Sequence, residues 1–453
     1  MALSGLEIYK KLPKTNCGDC GVPTCLAFAM KLAAGGASLD ACPHVSEEAK
    51  AELSEASAPP MAGVVIGTGD AALKIGEELV LFRHEKTFFN QPGFALLIDD
   101  SDGDEAITDK VEGLKKATFD RVSQVLKADL VAVRQTGDGA NFARGAKTAA
   151  GGGLPLILMS EDPSAMRAAL EAVGASRPLI YAATAANLDE MVALAKEFSC
   201  PLALKGSDLD ELSDLSEKAS GAGAKDLVLD PGTRKPAETL KALVYMRRAA
   251  LKKKYRPFGY PTITFPAEET ADEMVEALYA GLYVMKYGGI IVVRSLAPWK
   301  ALPLFVLRQN IYTDPQRPMQ VTEGIYEFNS PGPDSPVLIT TNFSLTYFIV
   351  SSEIETSKQP AYLGVVDAEG LSVLTAWAAG KFGAERIAKF VEKNDVASRI
   401  SHRSIVIPGY VAQISGELEE ELPDWKVKVG PREATELPSF LKALASGATA
   451  AAV

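Results

Sequence analysis

Histidine is almost missing from this chain: 453 residues hold only three, His44, His84 and His402. That scarcity excludes a histidine-rich metal centre. Positive charge is also short, with 47 Lys plus Arg against 58 Asp plus Glu, a formal net charge of -11. An acidic chain has no surplus to neutralise phosphates, so nucleic acid is not an expected partner. No apolar run approaches the roughly 18 residues that span a bilayer. The strongest, Ile290–Val293, sits between Gly289 and Arg294. Met1-Ala2-Leu3-Ser4-Gly5 lacks the basic and apolar regions of a signal peptide, and the expectation is a cytoplasmic protein without membrane contact. What remains is ordinary globular material, 47% hydrophobic and 23% charged. The length suggests about three domains.

The five cysteines are unevenly spread. Cys17, Cys20, Cys25 and Cys42 crowd the first segment, and Cys200 stands alone before Pro201 as an expected buried thiol. In a reducing compartment such crowding points to metal rather than disulfides. The spacing C-x2-C-x4-C-x16-C puts three thiolates within nine residues, enough to wrap one corner of a compact inorganic core. Gly18 and Gly21 let backbone amides approach sulfides, and Pro43 follows the last cysteine. A 4Fe-4S cluster is the expected occupant. Zinc is the rival, but it prefers two C-x2-C knuckles and the second is missing.

Along the chain, a helix-like stretch at 45–55 leads to Ser57-Ala58-Pro59-Pro60, an expected boundary. Residues 64–90 read as a hairpin around Gly67-Thr68-Gly69-Asp70, where the Gly-x-Gly serves a turn rather than a dinucleotide. From residue 94, eight apolar runs (94–99, 130–135, 154–159, 178–183, 201–205, 226–230, 262–265 and 289–294) alternate with stretches of helical period. The helices expected between them include 104–127, 163–172, 187–198, 207–219, 236–254 and 268–286. Eight such units predict a TIM barrel. Its functional face would carry Asp99-Asp100, Ser160-Glu161, Lys205 and Asp230. Beyond the proline-rich Asn329–Pro336, strands at 337–340, 362–366, 404–407 and 426–429 alternate with helices at 344–352, 372–382, 384–394 and 435–445, with a further strand expected near 411–415. That pattern is an α/β domain whose simplest form is a doubly wound sheet. The expected division is 1–57, 58–325 and 326–453.

In an open α/β sheet, ligands lie at the carboxyl ends of the strands. Those ends carry Thr340-Thr341-Asn342-Phe343-Ser344-Leu345-Thr346, Asp367-Ala368-Glu369-Gly370-Leu371-Ser372-Val373 with Thr375 beyond, Pro408-Gly409-Tyr410-Val411 and Gly430-Pro431-Arg432-Glu433. They offer hydroxyls, amides and small residues, with no His, no Cys and no conspicuous acid–base pair. Such loops suit a large, flat, amide-rimmed ligand, although many of these residues also serve as ordinary caps and turns.

The block Leu6–Gly21, with Pro23-Thr24-Cys25 and Ala41-Cys42-Pro43, closely resembles the large (gamma) subunits of corrinoid iron–sulfur proteins in carbon monoxide dehydrogenase/acetyl-CoA synthase systems. The resemblance runs through the whole chain and implies three parts: a small iron–sulfur domain, a TIM (β/α)8 barrel and a Rossmann-like cobalamin-binding domain. It implies methyl carriage: cobalt in a bound corrinoid takes methyl from methyltetrahydrofolate through a methyltransferase and passes it to acetyl-CoA synthase. The cluster, fed by a low-potential electron donor, repairs oxidised cobalt. By the resemblance Cys17, Cys20, Cys25 and Cys42 ligate the cluster. Thr340, Thr341, Asn342, Thr346, Gly370, Leu371, Ser372, Val373, Thr375, Gly409, Arg432 and Glu433 would contact the cobalamin or related cobamide. A small subunit would complete a heterodimer. One departure from commoner cobalamin proteins matters: Asp367-Ala368-Glu369-Gly370 lacks the axial His of their D-x-H-x-x-G loop, and His402 precedes its strand. The corrinoid is therefore expected base-off.

Two other classes compete, an iron–sulfur scaffold without corrinoid and an enzyme working from its barrel alone. The run from Met246-Arg247-Arg248 to Lys252-Lys253-Lys254 reads as a solvated helix end rather than a docking patch.

Overall fold

The structure is a computed structural model that describes residues 5–33, 37, 39–46, 49, 59–85, 87–122, 124–314 and 318–446. Most of the helix expected at 45–55, and the boundary at residue 57, lie outside the described residues. Contacts divide the chain into two compact units, 1–118 with 127–312, and 119–126 with 313–453.

In the first unit, helices Gly5–Lys11 and Cys25–Ala33 pack through Ile8, Phe28 and Ala29. A hairpin follows, β1 (Gly63–Ile66) against β2 (Leu73–Gly76), turning at Gly67–Gly69 as the Gly-x-Gly spacing predicts. The barrel strands are β3 (Gly93–Asp99), β6 (Leu130–Arg134), β7 (Leu156–Met159), β8 (Leu179–Ala183), β9 (Leu202–Lys205), β10 (Leu227–Asp230), β11 (Ile263–Thr264) and β12 (Ile290–Val293), with β4 (Phe119–Arg121) and β5 (Gln124–Leu126) intervening in the chain. They form one parallel sheet in the order β10-β9-β8-β7-β6-β3-β12-β11. A single parallel bridge, Leu229 to Thr262, brings its ends together, so the sheet is a nearly closed barrel. Alternate residues such as Ala95, Leu97, Ile157, Tyr181, Val228 and Val292 fill the interior with Val64, Ile66 and Ile75 of the hairpin. Gly67 and Ala62 donate backbone N–H groups to Arg177 and Gly259, in the loops entering β8 and β11. The hairpin thus stoppers the amino-terminal end, leaving the carboxyl ends as the mouth.

Around the mouth, Asp138, Asp162, Asp208 and Asp272 cap four barrel helices by accepting first-turn N–H groups. The helix expected over 104–127 stops at Lys116, and β4 and β5 make an antiparallel hairpin instead. The stretch at 268–286 is two helices, Pro266–Glu269 and Glu273–Met285, because Thr270 is extended and Asp272 starts a new cap. Helices Gly139–Ala150 and Pro298–Tyr312 also complete the ring.

The second unit holds an open sheet of β13 (Gly324–Phe328), β14 (Val337–Thr341), β15 (Ala361–Val366), β16 (Ser404–Ile407) and β17 (Lys426–Val429) in the order β13-β15-β14-β16-β17. All neighbours are parallel except the edge strand β13, which lies across the 325/326 division expected from sequence. Strand residues alternate between two cores. Val337, Ile339, Ile405 and Ile407 pack with Ile387, Phe390 and Leu418; Leu338, Leu363, Val365 and Val406 pack with Ile354, Leu437 and Leu441. Helices therefore cover both faces, which is why these strands read as unbroken apolar runs. Val122 of the β4–β5 hairpin packs into the second core. The strand expected at 411–415 is a 3-10 turn, Gly409–Ile414. Its buried Val411 and Ile414 recur at a spacing of three, a helical period rather than a strand's.

Candidate functional site

The sheet of the second unit reverses direction of winding at β14: the chain goes to β15 on one side and returns to β16 on the other. That split opens a crevice at the carboxyl ends of β14 and β16. A groove of about 330 Å3 lies there, lined by Ile339, Thr340, Thr346, Ile349, Ser372, Leu374, Pro408, Tyr410 and the 430–434 loop. Of the residues expected at a ligand, Thr340, Thr346, Ser372, Val373, Arg432 and Glu433 line it. Thr341, Asn342, Gly370, Leu371, Thr375 and Gly409 stand outside that lining, and several have other work.

Asn342 is 2% exposed and ties two loops together. Its carbonyl accepts from Ala368 N at 2.9 Å and Gly370 N at 3.0 Å; its amide donates to Asp367 Oδ1 at 2.9 Å and Gln320 Oε1 at 3.3 Å. Gly370 has φ +72°, and a Cβ there would lie 2.8 Å from Gln320 Cγ. Gly409 N donates to Pro431 O at 3.0 Å, and a Cβ at 409 would meet Gly430 O at 2.6 Å, so glycine lets the two loops touch. Ser372 and Thr375 share a hydroxyl hydrogen bond at 3.0 Å. Leu371 packs against one core. Thr341 Oγ1 is buried without a partner, an unspent polar atom at the end of β14. Tyr410 donates to Glu433, which raises the phenol's pKa. The sequence reading placed Tyr410 in an expected loop without assigning it a contact and missed Ile349 and Leu374, exposed rim residues whose only signal was placement beside the expected loops.

His402 precedes β16 and bonds Ser335 O and Ser404 Oγ at 3.0 and 2.9 Å. It stands at the sheet end opposite the groove.

The cysteine loop is shaped by left-handed turns at Asn16 (φ 49°), Gly18 (φ 81°) and Gly21 (φ 76°), with Gly21 N bonding Gly18 O at 2.8 Å. Cys25 and Cys42 are buried and Cys20 packs against the same small core, while Cys17 is exposed. Asn16 N donates to Cys25 Sγ at 3.4 Å, the kind of amide support a thiolate needs, and Asn16 Oδ1 accepts from Cys25 N at 2.8 Å. One zinc ion bonded at ~2.3 Å would draw four sulfurs to within ~3.8 Å of one another. Among the described residues, the one trio of ligand atoms within 4.8 Å is Cys17, Asp19 and His44, so the thiols are not gathered for a single ion. The all-cysteine donor set suits an iron–sulfur cluster. Asp19 and His44 escaped the sequence reading. They pair at 2.6 Å, and bonds from His44 and then Cys17 hold the Asp19 carboxyl below its usual range.

At the barrel mouth, the strand-end residues are bound into a chain of charges. Arg134 grips Asp99 at 2.7 and 3.1 Å and stands 4.0 Å from Glu268. Arg234 reaches Glu268 at 2.5 Å and Asp230 at 2.9 Å, and Asp230 accepts from Tyr181 at 2.6 Å. Burial, with Asp230 beside it, pushes the Tyr181 phenol well up. Lys205 pairs with Glu161 at 2.7 Å, Ser160 donates to Gln135, and Asp100 accepts from Thr136 and Gly137. The strand-end charges of the mouth are tied to one another in ion pairs and hydrogen bonds.

Two family models match: one for the CO dehydrogenase/acetyl-CoA synthase delta subunit over residues 63–441, and one for an Fe-S cluster over residues 12–44. The corrinoid/iron-sulfur protein large subunit of Moorella thermoacetica is 47% identical over 98% of this chain and 99% of its own length. Gamma subunits of the acetyl-CoA decarbonylase/synthase complex from Archaeoglobus fulgidus and Methanopyrus kandleri are each 38% identical over 97% of this chain, and over 98% and 97% of their own. Dihydropteroate synthase from Thermus thermophilus aligns over 54% of this chain and 99% of its own at 14% identity, with a TM-score of 0.38.

Proposed function

The chain belongs to the family of corrinoid/iron-sulfur protein large subunits and acetyl-CoA decarbonylase/synthase gamma subunits, and from that premise we propose that it carries methyl groups in the synthesis or cleavage of acetyl-CoA. In this reading the β14–β16 groove would hold a corrinoid, base-off, whose cobalt would accept and release methyl, and Cys17, Cys20, Cys25 and Cys42 would hold a 4Fe-4S cluster that could supply the electron repairing cobalt oxidation. The groove at the split in strand order, rimmed by Thr340, Thr346, Ser372 and the 430–434 backbone, is the observation that carries it. Half open to solvent, it suits one side of a wide planar ring.

The chain's own groups divide the labour. Thr340, Thr346 and Ser372 offer hydroxyls to amide side chains, Ile349 and Leu374 give the ring an apolar bed, and Asn342 keeps the 367–370 loop in register. His402 lies at the opposite sheet end, so it does not serve as an axial ligand. The name of the Moorella relative, a large subunit, supports a smaller partner subunit. We place a methyltetrahydrofolate methyltransferase, an acetyl-CoA synthase and a low-potential electron donor on either side of it, all in the cytoplasm. No described helix is long and apolar enough to cross a membrane. We read the Rossmann-like corrinoid domain as 326–453, after a cluster segment 1–57 and a barrel segment 58–325, with the edge strand β13 and the 119–126 hairpin joining it from outside that division.

Anaerobic reconstitution with iron, sulfide and cobalamin tests this. About four iron and one cobalt per chain are expected. Cys20→Ala should lose iron and keep cobalt. Iron with no cobalt at saturating cobalamin would overturn the carrier in favour of an iron–sulfur scaffold.

A further inference from the structure

Two side chains beside the cysteine loop have no part in a four-cysteine cluster, yet they meet one of its ligands. Cys17 Sγ, an Asp19 carboxylate oxygen and a His44 ring nitrogen lie within 4.8 Å of one another, all three residues exposed. Both arms of this trio are anchored. Cys17 and Asp19 flank Gly18, whose left-handed backbone (φ 81°) and bond from Gly21 N at 2.8 Å fold the loop, and Cys20 packs into the small core behind it. His44 lies between Cys42 and Val45, both buried in that same core. Hydrogen bonds already converge on one point: the Asp19 carboxylate accepts from His44 at 2.6 Å and from Cys17.

A thiol, an imidazole and a carboxylate joined in this way are three donors that one cation can share once the thiol proton leaves to solvent. Calcium and magnesium want oxygen ligands throughout, whereas a mixed sulfur, nitrogen and oxygen set suits zinc and its borderline neighbours. Bonds of ~2.0–2.3 Å place tetrahedral donors ~3.3–3.8 Å apart, so the Asp19–His44 contact has only to open by ~0.7 Å. Three protein donors leave the fourth position to water.

We propose that in the cluster-free chain Cys17, Asp19 and His44 hold one divalent cation of the zinc class, and that this ion competes with cluster assembly for the Cys17 sulfur. The competition rests on the cluster reading above; the binding of the ion does not. Coordination changes no oxidation state and releases the thiol proton alone.

The test uses the full chain, reduced and cluster-free, titrated anaerobically with Co(II) as a coloured stand-in and then with Zn(II). One Co(II) per chain is expected, with tetrahedral d–d bands and the charge-transfer intensity of a single thiolate; Zn(II) should bleach it. Asp19→Asn and His44→Ala should each weaken binding at least about ten-fold, the toll of losing even an outer-shell partner. Cys42→Ser should leave the spectrum unchanged, and the single-thiolate intensity in wild type makes the same point without that buried substitution. One Zn(II) per chain, added before iron and sulfide, should slow cluster formation in wild type and not in His44→Ala. Charge transfer from three or four thiolates, undiminished affinity in both Asp19→Asn and His44→Ala, or no bound Co(II) overturns the site. Equal assembly rates with and without zinc overturn the competition. Wild type that takes up no iron and sulfide even without zinc overturns the cluster reading and the competition with it, while the cobalt spectrum decides the three-residue site by itself.

Discussion

Replacing Asn342 by Ala should cost the second unit more stability than any other single change at the groove. The side chain satisfies two backbone N–H groups, of Ala368 and Gly370, in a loop where both residues are buried. Alanine leaves both donors without their protein partner. At about 1–3 kcal/mol for each orphaned group, the loss is roughly 2–6 kcal/mol. That is a large share of the 5–15 kcal/mol typical of a folded domain. Because the chain has two units, a global melting temperature is the wrong measure. Trp377 and Trp425 belong to the second unit and Trp299 to the barrel, so urea unfolding in a Trp299→Phe background reports the second unit alone. Amide exchange at Ala368 and Gly370 should accelerate together. Asn342→Asp separates the two halves of the clamp: it keeps the acceptor, loses the donor and sets a second carboxylate against Asp367, so its deficit should shrink as pH falls. A loss below about 1 kcal/mol for Asn342→Ala, or unaltered exchange at both amides, would refute the clamp.

Lys300 and Glu276 are both fully buried and paired at 2.5 Å, so Lys300→Met should cost about 3–5 kcal/mol by leaving the carboxylate only Arg294, at 3.8 Å and through its backbone N–H, while Glu276→Leu/Lys300→Met recovers part of it in denaturation curves. Burial raises the pKa of Glu269 against the opposing bonds from Tyr283 and Thr239. A raised carboxyl stabilises below its unfolded pKa and loses that contribution as pH climbs, so Glu269→Gln should gain on wild type as pH rises above 4.5; a constant difference across that range would remove burial as the cause. In the corrinoid-loaded protein, Co(II) paramagnetic resonance should show no nitrogen superhyperfine splitting, and Ser372→His should introduce it. Splitting in the unmodified protein would end the base-off reading.

The barrel was legible because its strands are buried on both faces and leave unbroken apolar runs. The β4–β5 hairpin was not, because helix-forming Lys115-Lys116 runs straight into it and Phe119, Val122 and Val125 do not alternate cleanly. β13 escaped as a half-buried antiparallel edge, with Ile325, Tyr326 and Glu327 only partly covered. Helix Pro298–Tyr312 was masked by Pro303 within it, and Gly139–Ala150 by its small residues. At the groove, sequence named loops that border it but could not rank their residues. Asn342 and Thr340 are neighbours in the chain, yet one is consumed in tying loops and the other lines the groove. Strand alternation and loop crossing decide that, and neither has a local signature. The cysteines stand out in the sequence by their spacing, while Asp19 and His44 meet only after 25 residues of chain fold back.

The β4–β5 hairpin also determines where this protein can be cut. It arises within the barrel's stretch of chain, yet Val122 completes a core with Val321, Phe328, Leu338 and Leu441. No single break in the polypeptide yields two whole pieces. A fragment starting at residue 313 leaves a hole where Val122 belongs, and its complement carries an apolar hairpin with nothing to cover. Gene dissection, domain transplantation and recombination at the 312/313 junction should all give aggregation-prone halves, and the two units should pass between genomes as one inheritance.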